Sequence, residues 1–196
     1  MTTETIDRQT SLPLAGAPAE SALAIVEPEI QLAVDASDKT VTAAQVRVLK
    51  ATICSKMTIE QLQLYLTICA RKGVDPFTEA YGFPQKEGGL AFGLRIDGMR
   101  SLALRTGQLK SITTETIFDG EKKLAGARTT IERDGMTKPV IEEAWMGEYA
   151  RSGMGWDQFP ETMIRKVSAA KALRVAFADA LSGVYEPAEM GNADAR

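Results

Sequence analysis

Residues 160–183 read PETMIRKVSAAKALRVAFADALSG, opened by a proline and closed by a glycine with no helix breaker between them. Proline suits a first helical turn, where its missing N–H had no partner, and glycine ends a helix because it enters the left-handed region without steric cost. The stretch predicts one helix of about twenty residues ending before Gly183. At ~100° per residue, Met163, Val167, Ala170, Phe177 and Leu181 share one stripe that must face a core. Arg174 falls in the middle of that stripe, Lys166 and Lys171 on its flanks, and Arg165 on the opposite side.

A guanidinium does not shed its charge, so it faces a core only when paired or when it opens onto a cleft. Two readings of Arg174 follow. In one, it pairs with an acid of the preceding segment, such as Glu142 or Glu143, while Lys166 and Lys171 lay their stems along the core. In the other, the helix lines a groove whose missing anions are DNA phosphates.

Upstream of this helix the pattern changes. TAAQVRVLKATICS, from Thr42 to Ser55, reads as a helix with Val46, Leu49 and Ile53 on one face. Thr58 with Gln61 three residues on begins a second helix that carries Leu62, Tyr65, Leu66 and Cys69 and stops at Gly73, before Pro76. Two apolar-aromatic runs around Lys86-Glu87-Gly88-Gly89 give a hairpin, and Asp97 is placed to cap a short helix from Gly98 to Thr106, closed by Gly107. ITTETIF, ARTTIER and VIEEAWMGEY, separated by Asp119-Gly120 and Asp134-Gly135, give an antiparallel meander. The fold class is therefore α+β: a small antiparallel sheet, hairpin plus meander, packed with helices that include one long C-terminal helix.

The 196 residues, 44% hydrophobic and 25% charged, suit a single globular domain, and no apolar run approaches the ~18 residues needed to span a bilayer. Residues 1–40 hold seven acids against Arg8 and Lys39, a net of -5, so the overall -3 leaves +2 for the remainder. We expect residues 1–40 to form a disordered acidic tail with a short helix near Ala22 to Ala33. The core is expected over 41–190, with a second tail at 191–196. The chain has no histidine, which closes off His-based triads and His-ligated zinc, and Cys54 and Cys69 lie inside helical segments, as in a reducing cytoplasm. No phosphate-binding loop or Cys-x-x-Cys occurs, and Glu142-Glu143, adjacent in a strand, point to opposite faces.

The candidate site is thus a binding surface: Lys86 in the hairpin; Arg95, Arg100 and Arg105, with Lys110, around the short helix; and Arg165, Lys166, Lys171 and Arg174 on the long one. Tyr81, Phe83, Phe92 and Trp156 lie near these charges, and aromatics there either pack the core or stack on bases. Trp156, beside the glycines at 153 and 155, is the best stacking candidate, or else it pins that loop to the core.

Two blocks carry a family likeness. Gly73-Val74-Asp75-Pro76-Phe77-Thr78, then Ile96-Asp97-Gly98 and ALRTG from Ala103 to Gly107, form the first. The second runs from Trp156 through Pro160, Met163-Ile164-Arg165-Lys166, Ala172-Leu173-Arg174-Val175-Ala176-Phe177 and Leu181-Ser182-Gly183-Val184-Tyr185-Glu186. Their order and spacing, over roughly residues 56–190, resemble the phage RecT/Bet (Red-beta) recombination proteins. The resemblance implies an ATP-independent protein, not an enzyme and without cofactor or metal, that binds single-stranded DNA and anneals it to its complement. It implies a homo-oligomer, ring or helical filament, holding the strand and the annealed duplex in a basic groove. A phage exonuclease and a host single-strand-binding protein are the implied partners, and the bacterial cytoplasm the implied location. Arg174 coincides with the arginine of the family's A-[LC]-R-x-A-F motif, which favours its DNA-facing reading.

The chain departs from the lambda-type pattern at Glu161 and Val167, where that pattern has lysines, and at Glu79, where a basic residue is common. The C-terminal extension with which some relatives recruit partners is not expected after Met190. Other classes make different demands. A metal-dependent nuclease would use carboxylates such as Asp119, Glu142 and Glu143, and a structural phage protein would keep its nucleic-acid affinity unchanged on charge reversal at Lys166, Lys171 and Arg174.

Overall fold

The computed structural model describes residues 28–85 and 89–184. Helices α1 (Pro28–Ala36), α2 (Ala43–Ala51) and α3 (Ile59–Lys72) come first. Thr42 and Thr58 each accept the N–H of the glutamine three residues on, and Gln45 and Gln61 accept the threonine N–H in return. These reciprocal boxes satisfy donors that a helix start otherwise leaves without partners. Gly73, at φ 63°, ends α3 in the left-handed conformation.

Two expectations are corrected here. Helix α2 stops at Ala51, so the chain turns before Ile53, which is exposed, and Cys54 takes the buried place. Residues 28–36 are not tail: α1 buries Ile30 and Ala33 in the main core and packs on α2 and α3. The short helix expected near Ala22 to Ala33 overlaps α1 from Pro28 onward, and residues 1–27 lie outside the described residues.

Strands β1 (Ala80–Pro84) and β2 (Leu90–Leu94) form the hairpin, with Ala80 opposite Leu94 and Pro84 opposite Leu90. Helix α4 (Ile96–Arg105) follows directly. Its N-cap is Arg95, without a side-chain cap bond, and Asp97 lies in the first turn rather than at the cap. Gly98 is dictated by packing, because a Cβ there would lie 2.6 Å from the Glu79 carbonyl oxygen. The Asp97-Gly98 pair thus marks where the helix meets the base of the hairpin.

The meander is β3 (Leu109–Phe118), β4 (Leu124–Arg133) and β5 (Val140–Trp145) in that spatial order, a sheet separate from the hairpin. Short helices α5 (Met146–Tyr149) and α6 (Met154–Gln158) lead to α7 (Pro160–Ala176) and α8 (Ala178–Leu181). The single long helix expected from sequence is therefore two, broken at Phe177, whose φ of -127° and ψ of 46° are not helical.

Helix α7 is wedged between layers. Ile164 and Val167 pack with Ala127, Ala144 and Trp156 on the sheet side, whereas Ala169, Ala170, Ala172, Leu173 and Ala176 belong to the main helical core. A helix covered on two sides has no single apolar stripe, and its run of small residues lets both layers approach. A buried hydroxyl relay crosses the sheet face: Thr114 to Thr129 at 3.0 Å, Thr129 to Ser168 at 2.8 Å, and Ser168 to the Glu142 carbonyl at 3.1 Å. The relay satisfies the polar groups that this contact takes from water.

The C-terminal end of α7 is clamped by Arg133. Its guanidinium donates to the Ala176 carbonyl, bonds Asp179 at 3.1 Å and Gln108 at 2.8 Å, and lies 4.8 Å from the Phe177 ring centroid. A cation there meets both the unpaired last carbonyls and the negative end of the helix dipole.

Candidate nucleic-acid interface

The first turns of α4 and α7 and the middle of β3 enclose a cleft of about 500 Å³. Arg100 enters from α4, and Arg165 and Lys166 from α7. Thr114 and Thr162 supply hydroxyls, and Asp97 and Glu161 bring the only two acids of its lining. Neither helix start has a side-chain cap bond, so first-turn N–H groups add positive potential to three cations.

The local reason for the opening lies in α7. Arg165, Ala169, Ala172 and Ala176 recur at helical spacing along one face. Over Ala169 to Ala176 that face is buried in the helical core, but at Arg165 it emerges. Arg165 is exposed, 3.7 Å from Glu161 and within 3.5 Å of the Thr116 hydroxyl. Arg100 and Asp97 are 3.5 Å apart, both with exposed side chains.

The structure therefore joins Arg100, Arg165 and Lys166, from segments far apart in sequence, and sets the other expected residues elsewhere. Arg174, expected at the centre of a buried stripe, is half-buried in the last turn of α7. It lies nine residues beyond Arg165, hence about 13 Å along the axis and on the far side of the helix. Lys171 is 3.5 Å from the sheet acid Glu142, donates to the Glu143 carbonyl at 2.5 Å and lies 6.0 Å from the Tyr149 ring.

Arg105 pairs with Glu79 at 3.4 Å, and Lys110 with Asp134 at 2.6 Å. Burial pushes the Glu79 carboxyl up, but bonds from Ser101, the Asp75 N–H and Arg105, together with the arginine charge, outweigh it and hold it below the ordinary range. The acid that replaces a basic residue in the family pattern thus ties the Gly73–Thr78 loop to α4. Arg95 is exposed at the N-cap of α4, its N–H on the Glu79 carbonyl at 2.9 Å. Lys86 lies outside the described residues.

Trp156 does not present a ring for stacking. It is 6% exposed, packed in the sheet-side cluster beneath Arg151 at 5.9 Å, and its Nε1 has no partner among the described residues. Tyr81 is buried and Phe92 half-buried against Tyr65, while Phe83 is exposed and packs on Tyr81 at 5.3 Å. The sequence reading missed Phe159, the N-cap residue of α7, which is 60% exposed beside the cleft-lining Glu161 and Thr162.

The three nuclease carboxylates stand apart. Glu142 faces Lys171, Glu143 is 2.7 Å from Arg128 on the other face of the sheet, and Asp119 accepts N–H groups of its own turn. Among the described residues no group of three or more acids or cysteines is placed to hold a metal, and no helix is long and apolar enough to cross a membrane.

The sequence profile of the RecT family matches residues 39–196. No curated protein sequence matches the chain significantly.

Proposed function

Because the chain belongs to the RecT family of phage-type single-strand annealing recombination proteins, we propose that its α4–α7 cleft holds single-stranded DNA for pairing without ATP. The observation that carries this reading is the convergence of Arg100, Arg165 and Lys166 on one open cleft. Pairing is downhill once strands meet. A protein that neutralises phosphates and concentrates two strands removes the repulsion and the entropy that slow it, with no bond to break. Phosphate contacts fix the strand while leaving base edges readable. Exposed Phe159, at the N-cap of α7, stacks a base in this reading, a contribution of roughly 1 to 3 kcal/mol for such contacts.

In this reading the protein acts as a homo-oligomer along DNA, in concert with a phage exonuclease and host single-strand-binding protein. Lys171 and Trp156 serve the fold. Arg95 and Lys86 are further candidate phosphate contacts, Arg105 braces the groove through Glu79, and Arg174 contacts a more distant part of the strand.

Annealing of complementary oligonucleotides in the absence of ATP tests the activity. The double variant Arg165→Gln, Lys166→Gln tests the site: it is expected to weaken oligonucleotide binding at least tenfold at low salt. The slope of log affinity against log salt should fall by about 1.4, as for two lost single-strand phosphate contacts. A wild-type chain that binds no oligonucleotide at low salt ends the proposal, and an unchanged double variant moves the strand out of this cleft.

A further inference from the structure

The cleft holds its own anion. Glu161 Oε1 accepts a 2.7 Å hydrogen bond from the Thr116 hydroxyl and lies 3.7 Å from Arg165, which itself reaches Thr116 Oγ1 at 3.5 Å. One carboxylate oxygen thus takes a hydroxyl from β3 and a guanidinium from α7, the two kinds of donor that bind phosphate oxygens. With its side chain 54% exposed, Glu161 is open to exchange with a ligand. Asp97 lies 3.5 Å from Arg100, with its side chain 87% exposed.

We propose that Glu161 occupies the phosphate position of the cleft, and that a DNA strand enters by displacing its carboxylate from Arg165 and Thr116. The inference rests on the DNA-binding reading of the cleft. It makes Glu161 a selectivity device. A lone anion gains little by exchanging one anion for another on Arg165, whereas a strand brings several phosphates and engages Arg100 and Lys166 at the same time. The resident carboxylate also holds affinity down, because part of each binding event is spent on displacing it.

Binding of a labelled oligothymidylate to the full chain at low salt tests this in Glu161→Gln, in Arg165→Gln and in their double variant. Glutamine keeps an acceptor for Thr116 and removes the charge. Glu161→Gln is expected to bind about three- to fivefold more tightly, the scale of an exposed ion pair. Its salt slope should steepen by up to ~0.7, one added single-strand phosphate contact. In the Arg165→Gln background the gain should vanish, since the competitor then has nothing to release. Glu132→Gln, the same charge change at an exposed position of β4, controls for bulk charge. The inference fails if Glu161→Gln leaves affinity unchanged while Arg165→Gln weakens it, if Glu132→Gln gives an equal gain, or if the gain survives without Arg165. If Arg165→Gln and Lys166→Gln are each silent, the cleft reading itself fails, and the inference with it.

Discussion

The two halves of α7 turn the same face in the same direction and meet opposite surroundings. From Ala169 to Ala176 that face carries only small residues, lies buried in the helical core and ends under the Arg133 clamp. One turn earlier it carries Arg165, exposed in a cleft with Arg100 and Lys166. Each half has its arginine. Arg133, with its side chain 15% exposed, answers carbonyls, a carboxylate and an aromatic ring of the fold, whereas Arg165, 45% exposed, answers one exposed carboxylate and one hydroxyl. Cations that hold a fold are satisfied by the fold, and cations that serve a ligand are left within reach of one.

Moving the charge by one turn breaks the comparison most severely. Ala169→Arg puts a guanidinium on the same face at a fully buried position, where an unpaired charge costs on the order of 4 kcal/mol or more. The variant is expected to be largely unfolded by circular dichroism at ambient temperature. A folded Ala169→Arg with native melting behaviour would mean that the C-terminal half of this face is not closed.

Arg133→Met comes next. It keeps the length of the side chain but leaves the Ala176 carbonyl, Gln108 and Asp179 without their shared donor, for an expected loss of about 3 kcal/mol in denaturant midpoint analysis. The folded fraction should bind oligonucleotide as the wild type does, because the clamp is at the other end of the helix from the cleft. In Arg165→Gln the readouts invert: stability within about 0.5 kcal/mol of wild type, as for an exposed ion pair, and oligonucleotide affinity lower by about three- to tenfold.

The same contrast explains what was legible in the sequence. Local devices were: Thr58 with Gln61, Gly73, the hairpin and the first two strands of the meander stand where their residues placed them, whereas the third, read through VIEEAWMGEY, ends at Trp145 and its MGEY forms helix α5. So was the family, because its motifs are ordered along the chain. Three-dimensional partnership was not. A projection of α7 assumes one covered side, so it chose the stripe through Arg174, whereas the helix is covered on two sides and opens at Arg165. Arg133 drew no notice, since nothing in ARTTIER indicates that the strand end meets a helix terminus. The projection likewise left Lys171 on the flank of the stripe, whereas it pairs with Glu142 on the sheet.

The smallest expected effect separates the clamp from the cleft by pH. Hydrogen bonding from Arg133, more than its charge, holds the Asp179 carboxyl below the ordinary range. A carboxyl with a depressed folded pKa stabilises the protein above its unfolded pKa, and that contribution is lost as pH falls through the folded value. Asp179→Asn should therefore melt slightly below wild type at neutral pH, and the difference should close as the solution is acidified through and below the normal aspartate range. High salt should narrow it too, since the Asp179 side chain is 63% exposed and its bond to Arg133 is screened. A gap that widens on acidification would mean that Asp179 is bound in its protonated form. Arg133 would then hold α7 through the Ala176 carbonyl and Phe177 alone, and the closed half of the helix would owe nothing to an ion pair.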